Sequence, residues 1–425
     1  MEILPNKIIS DYSILEQKVL NLANRLNQKS SQEIDLKVAQ IIEQVRLNGK
    51  KALIDFSLQF DKQKIENFSV SAIGYWDQLK LEQKNAVKLA CERIKRFQEI
   101  CLPTQNTELI DEYGILKVLH NPIDSVACYI PGGHAPLIST LMMTAIPAMV
   151  AKVKRIIVLS PPPIHPYILA VCEYLNLTEI YQIGGSQAIA AAAYGIAEIG
   201  LKSVDKIVGP GNLFVTSAKK QVYGQTGIDA LYGPSELIII ADEFIDNHKA
   251  KQIAHDLMSQ LEHGSGWESA CLFTNSAETA QKVLQSFTEI LDKQPNKESI
   301  KKAWDDFGLI GITDNLEQCA ALSNIFAPEH LELKVKDYQS LLPQIRHAGA
   351  IFINDSNEAL GDYLAGPSHC LPTGRSARFS SGLSVLDFLK RSSLIDLKPD
   401  QNLKQNTAIL ARMEGLEAHA QAAEI

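Results

Sequence analysis

No Cys-x-x-Cys pair occurs in this chain, and its seven cysteines (91, 101, 128, 172, 271, 319 and 370) are scattered and odd in number. Neither a disulfide framework nor a thiolate zinc knuckle is expected, and a reducing cytoplasm suits such thiols best. Excess basic charge is missing too: 49 acidic against 41 basic side chains leave a formal charge of −8, spread along the sequence. With no basic stripe to neutralise a run of phosphates, nucleic acid is not an expected partner. No segment approaches the roughly 20 apolar residues that a membrane-spanning helix needs. The opening MEILPNKIIS lacks the basic patch and apolar core of an export signal. A cytoplasmic protein, neither exported nor membrane-embedded, is the expectation. Two chemical signatures are also absent. Without Gly-x-Gly-x-x-Gly the usual dinucleotide fingerprint is lacking, and without His-Glu-x-x-His a zinc protease is disfavoured.

What is present is length and apolar content: 425 residues, 46% of them hydrophobic, exceed the usual ceiling for one core and imply at least two domains. From about Asp11 to Phe97 apolar residues recur three and four apart, as at Ala86, Ala90, Ile94 and Phe97, which predicts a helical opening. The texture then changes to short β-branched runs that end in glycine or proline turns and lead into small-residue helices. Ser125–Ile130 runs into Pro131-Gly132-Gly133, Arg155–Leu159 into three prolines, Ile180–Ile183 into Gly184-Gly185, and Lys206–Val208 into Gly209-Pro210-Gly211. Strand, turn and helix in repetition predict a parallel sheet with helices on its faces. A second series, with strands at Leu237–Ala241, Cys271–Thr274, Leu309–Ile312 and Ala350–Ile353, follows the Gly233-Pro234 turn. From about Ser384 the chain reads as a helical, polar tail, too poor in apolar residues to stand alone, which must dock on its own body or on a partner.

Four constellations carry candidate chemistry. The glycine turns suit backbone N–H groups approaching a phosphate at helix N-termini, and equally suit ordinary strand-to-helix turns. Gln260 and His263 lie three apart in a predicted helix and share a face, as ligands of one ion would, although such pairs are far more often filler. Glu329 and His330 sit in FAPEHLEL, where Pro328 forces a turn before a strand-like run; a helix N-terminus is the alternative. Asp362 and His369 lie in GDYLAGPSHCLPTG, read as a constrained loop that is either a structural turn or a binding site.

The ordered set YIPGGHAPLISTLMMTAIPA, GPGNLFVTSAKK, GPSELIIIAD, SQLEH, APEHLEL, GDYLAGPSHCLPTGRSARFSSGLSVLDFLKR and EGLEAHAQAA resembles the histidinol dehydrogenase family, and covers most of the chain from about residue 125. The resemblance implies an NAD-dependent, zinc-dependent oxidation of L-histidinol through L-histidinal to L-histidine. It also implies one Zn2+ per subunit, held by Gln260, His263, Asp362 and His419, with Glu329 and His330 as the acid-base pair. Substrate contacts would come from Ser235, His369 and Glu414, besides His330 and the four metal ligands, and NAD contacts from Tyr129, Gln187 and Asn212. It further implies a homodimer in which the tail crosses over, so that Glu414 and His419 complete the other subunit's site.

The fold so implied is α/β, with two Rossmann-like parallel-sheet domains and small helical extensions. The expected division is a helical arm at 1–24, a first α/β domain at 25–128 plus 236–381 with most zinc and catalytic residues, an NAD-side domain at 129–235, and a helical tail at 382–425. Three departures flank the site: His134 after Pro-Gly-Gly, Gly264 to Trp267 after the zinc histidine, and Ala230-Leu231-Tyr232 before Gly-Pro-Ser-Glu. They leave a second reading open, the oxidation of another polar alcohol, for example a sulfonated diol, by the same apparatus.

Overall fold

The computed structural model describes residues 7–25, 31–103, 107–132 and 136–425; His134 lies outside them. Two parallel sheets carry the architecture. The first runs, in spatial order, Ile8–Ile9, Leu309–Ile312, Ser269–Thr274, Glu236–Ala241, His330–Lys334 and Ala350–Ile353. Its central strands, ELIIIA and SACLFT, are buried at every residue, as expected of strands with helices on both faces.

The second sheet runs Glu179–Gln182, Arg155–Ser160, Ser125–Tyr129, Lys206–Val208 and Gly227–Ile228, again all parallel. The strand that comes first in the chain, Ser125–Tyr129, is central, and the next two lie on one side of it while the last two lie on the other. The winding therefore reverses between Tyr129 and Val208, and this reversal opens a crevice at the carboxyl edge of the sheet.

Two expectations are corrected. Helices Ser31–Phe56 and Leu81–Ile100 and strand Ser125–Tyr129 belong with the second sheet, not with 236–381. Ser125–Tyr129 is that sheet's central strand, helix Ser31–Phe56 packs on helices Gly185–Tyr194 and Leu213–Val222, and helix Leu81–Ile100 packs on Ile138–Val150. Burial decides this: Val38, Val45 and Leu53 share a core with Ile189 and Val215, and Val87 and Ile94 share one with Leu141 and Val158. The tail, in turn, is not helical throughout. Leu389–Leu397 is a strand, paired antiparallel along its length with Gly114–Pro122, which also pairs Glu108–Asp111. LKRSSLIDL shows no clean alternation and its partner is remote in sequence, so no local pattern betrays the pairing. Beyond it, helices Gln401–Met413 and Glu417–Glu424 pack on each other, with Arg412 bonded to both Glu417 and Glu424.

The opening helix Tyr12–Ala23 seats Leu15 and Val19 among Ile238, Phe273 and Phe326 of the first unit. All seven cysteines are free thiols, and among the described residues no helix is long and apolar enough to cross a membrane.

Candidate active site

The carboxyl edge of the second sheet faces the amino edge of the first across a cleft of about 1220 Å³, lined by residues of both. On the second-sheet wall stand Tyr129 at the end of its strand, Gln187 in the first turn of helix Gly185–Tyr194, and Asn212 at the cap of helix Leu213–Val222. The Tyr129 hydroxyl accepts the Gly185 N–H at 3.1 Å, and burial pushes its phenol up to about 12, so it stays neutral. Gly185 has φ of +64°, a conformation that favours glycine, and opens a helix whose first residues, Gly185 to Gln187, line the cleft. Asn212 caps helix Leu213–Val222 by accepting from Phe214 and Val215 at 3.1 and 3.2 Å. Its carbonyl oxygen is thus committed to the helix, and only its amide remains for a ligand.

On the opposite wall, helix Leu316–Phe326 ends at Ala327 in the left-handed region; Pro328 turns the chain, and His330–Lys334 enters the sheet. The strand-like reading of FAPEHLEL is the one observed. Glu329 and His330 are both buried, with Oε2 and Nδ1 3.8 Å apart, while His330 Nε2 lies 3.9 Å from Asp362 Oδ1. Burial, reinforced by Glu236 and Asp362, pushes the Glu329 carboxyl well up, against the Glu236 N–H at 3.1 Å and the Ser235 hydroxyl, which favour the charged form. Burial likewise pushes His330 down to about 4, with Asp362 opposing and His263 and His369 assisting. Among the described residues neither ring nitrogen of His330 has a hydrogen-bond partner.

Helix Asn247–Leu261 is fixed by its Asp246 cap and by Ala250, Ile253, Ala254, Leu257, Met258 and Leu261, which meet the sheet at helical spacing. This buries Gln260 completely at its last turn, with Oε1 and Nε2 both unpartnered among the described residues. Such orphaned atoms are costly unless a ligand satisfies them. His263 lies just past the helix, not within it, and its Nδ1 is 3.0 Å from the Gln260 carbonyl oxygen. Asp362 comes from a short helix, Glu358–Tyr363, where a loop was expected; the Asn357 cap explains it, accepting from the Leu360 N–H.

Sequence reasoning missed Glu358. It is buried, and its carboxyl oxygen lies with ligand atoms of His263 and Asp362 within 4.8 Å of one another. The available signal was its spacing of four from Asp362, which puts both on one helical face. His369 is 3.0 Å from the Thr140 hydroxyl through Nε2 and 3.2 Å from the Asp362 carbonyl through Nδ1, so the two predicted residues of that segment do meet. Ser235, His263, Glu329, His330, Asp362 and His369 all line the cleft. Glu414 and His419 do not: both are exposed on the tail helices of the same chain.

With this geometry established, comparison with known proteins is decisive on kinship. Residues 24–425 match the family model described as histidinol dehydrogenase. The chain is 42% identical to the histidinol dehydrogenase of Thermosynechococcus vestitus, covering 97% of each chain, and 42% identical to that of Oceanobacillus iheyensis, covering 93% of each. The crystal structure of histidinol dehydrogenase from Elizabethkingia anophelis superposes with a TM-score of 0.90 at 32% identity, covering 98% of this chain and 96% of that one.

The chain therefore belongs to the histidinol dehydrogenase family, as an NAD-dependent oxidoreductase acting on alcohol and aldehyde. The reading as a dehydrogenase of some other polar alcohol is correspondingly disfavoured.

Proposed function

We propose that this member of the histidinol dehydrogenase family oxidises L-histidinol to L-histidinal and then to L-histidine in the cytoplasm, with Glu329 and His330 as its acid-base pair and two NAD consumed per histidine. The observation that carries the assignment of roles is the burial of Glu329 and His330 side by side, next to Asp362, in the cleft shared by the two sheets.

His330, kept neutral by burial, accepts the hydroxyl proton as the carbinol hydride leaves for the nicotinamide. Glu329, whose affinity for a proton is raised by burial, takes the proton of the water that adds to the aldehyde, while the protonated His330 returns its proton to the carbonyl oxygen, which gives the hydrate and a neutral imidazole again. His330 then accepts a hydroxyl proton of the hydrate as the second hydride departs. Tyr129, Gln187 and Asn212 hold the dinucleotide along the second-sheet wall.

The residues present fit a divalent zinc. Gln260 offers an oxygen with no partner among the described residues, His263 and Asp362 offer a nitrogen and a carboxylate close to each other, and the His263 ring lies against the Gln260 backbone carbonyl. Gln260, His263 and Asp362 would hold the ion, with His419 of the partner subunit as fourth ligand. Bound there, zinc supplies Lewis acidity that polarises the substrate hydroxyl. Ser235 and His369, with Glu414 of the partner subunit, would hold the imidazole and ammonium ends of the substrate.

Supporting a homodimer with shared sites, the tail helices leave Ile409, Leu410 and Met413 at 54, 62 and 79% exposure, and Glu414 and His419 stand apart from the cleft of their own chain. The direct test is a substrate panel followed by NADH absorbance, with histidinol, histidinal and unrelated polar alcohols. Turnover of histidinol and histidinal is expected; preference for another alcohol would overturn the assignment.

A further inference from the structure

The central strands of the second sheet have the order in which an acidic side chain at the end of the second strand usually binds the adenosine ribose of NAD. Here that strand, Arg155–Ser160, runs into Pro161-Pro162-Pro163, which offers no carboxylate. We propose that Asp61, reaching the cleft from outside the sheet, accepts a hydrogen bond from the 2′-hydroxyl of the adenosine ribose and thereby selects NAD over NADP.

Asp61 ends the single wide turn Ser57–Asp61 that continues helix Ser31–Phe56, and it lines the cleft on the second-sheet side, away from Glu329 and His330. The carboxylate is half-buried, and among the described residues no hydrogen bond or ion pair reaches it. Burial alone pushes it up to about 6, which reflects a carboxylate with no donor to offset its desolvation. Lys62, next in the chain, turns its ammonium to the Gln59 carbonyl at 2.8 Å and does not line the cleft.

Beside it Phe60, 47% exposed, stacks on Phe56 with centroids 5.6 Å apart and lines the same cleft. An aromatic platform adjoining an unsatisfied carboxylate is what a purine nucleoside needs. The remaining wall reinforces the choice of nucleotide. Among the described residues lining the cleft there is neither a lysine nor an arginine, so a 2′-phosphate would meet the Asp61 charge with no cation to receive it. The pyrophosphate common to both nucleotides can still lie at the N-terminus of helix Gly185–Tyr194.

This inference rests on the dinucleotide occupying the cleft as proposed above. The test measures binding of NAD, NADP and 2′-deoxy-NAD by calorimetry to the full-length enzyme, as wild type and as Asp61→Asn. Wild type should bind NAD at least about 10-fold more tightly than 2′-deoxy-NAD, and NADP more weakly still, because a partly desolvated acceptor disfavours a ligand that cannot satisfy it. Asp61→Asn should weaken NAD and shrink both ratios, since it replaces the charged acceptor by a weaker neutral one and removes the charge that repels a 2′-phosphate. A merely structural Asp61 would weaken all three nucleotides alike and leave the ratios unchanged, which would overturn the proposal. Equal binding of NAD and 2′-deoxy-NAD by wild type alone would overturn it without recourse to the variant. Wild type that binds neither NAD nor NADP would instead overturn the reading of the cleft itself, and this inference with it.

Discussion

Arg25 and Glu236 form an ion pair of 2.8 Å with side chains only 3 and 0% exposed, at the inner end of the strand that supports Glu329. The guanidinium also donates to the Trp267 carbonyl at 2.9 Å, and Glu236 accepts the Gly374 N–H at 3.2 Å. One pair thus fastens the opening helix, the Gly264–Trp267 turn and the Thr373–Gly374 loop behind the acid-base residues.

Removing one member of that pair strands a buried charge. Arg25→Ala should therefore cost about 3–5 kcal/mol, whereas the joint change Arg25→Met with Glu236→Leu should cost much less. The midpoints of urea unfolding compare the two, and a single variant no worse than the double would show that the pair contributes little.

A second buried pair governs the glycine turn on the nucleotide wall. Lys219 and Asp229, 1 and 2% exposed, are ion-paired; Lys219 donates to the Gly209 carbonyl at 2.9 Å, and Asp229 accepts the Gly209 N–H at 2.7 Å. Tyr232 donates to the same carboxylate at 2.9 Å. Gly209 has φ of +115°, where a Cβ would strike the Tyr129 carbonyl, so the turn is held from both sides of a residue that must be glycine. Lys219→Met should lower stability by about 3–5 kcal/mol and raise KM for NAD, because it leaves Asp229 charged and unpaired and loosens the turn that carries Asn212. Zinc content should be unchanged; unaltered KM with normal stability would refute the clamp.

His419→Ala should lower zinc content and activity together, by opening the coordination sphere. Full occupancy with normal turnover would remove His419 from the ligand set. Subunits carrying His419→Ala, mixed with subunits carrying Asp362→Asn, should recover activity, since one cleft of the hybrid draws intact residues from both chains. Verified subunit exchange without recovery would refute sharing.

Glu329→Gln keeps the side chain's size but removes its carboxylate, so it should slow aldehyde oxidation, which needs an activated water, by about 10²- to 10⁴-fold, and alcohol oxidation far less. His330→Asn should slow both steps. Single-turnover NADH formation, begun separately from histidinol and from histidinal, separates chemistry from product release. Normal aldehyde oxidation by Glu329→Gln would reassign its role, and an unaffected alcohol step in His330→Asn would reassign that of His330.

Local pattern determined a good deal of this protein. The strands at Ser125, Arg155, Lys206, Cys271, Leu309 and Ala350 were legible because buried parallel strands are short apolar runs punctuated by glycine and proline, a signal that lies within a few residues. The turn at Pro328 was legible for the same reason, and the resemblance pointed to the cleft residues by ordered motifs. Tertiary structure alone decided the rest. Pairing of Leu389–Leu397 with Gly114–Pro122 and the ion pair of Arg25 with Glu236 join segments more than 200 residues apart. Membership of helices Ser31–Phe56 and Leu81–Ile100 in the second unit depended on which core Val45 and Ile94 enter. Burial of Glu358 and the vacant acceptor of Asp61 are likewise properties of what surrounds a side chain after folding. A carboxylate in sequence is only a charge; its neighbours decide whether it caps a helix, balances a cation or awaits a ligand.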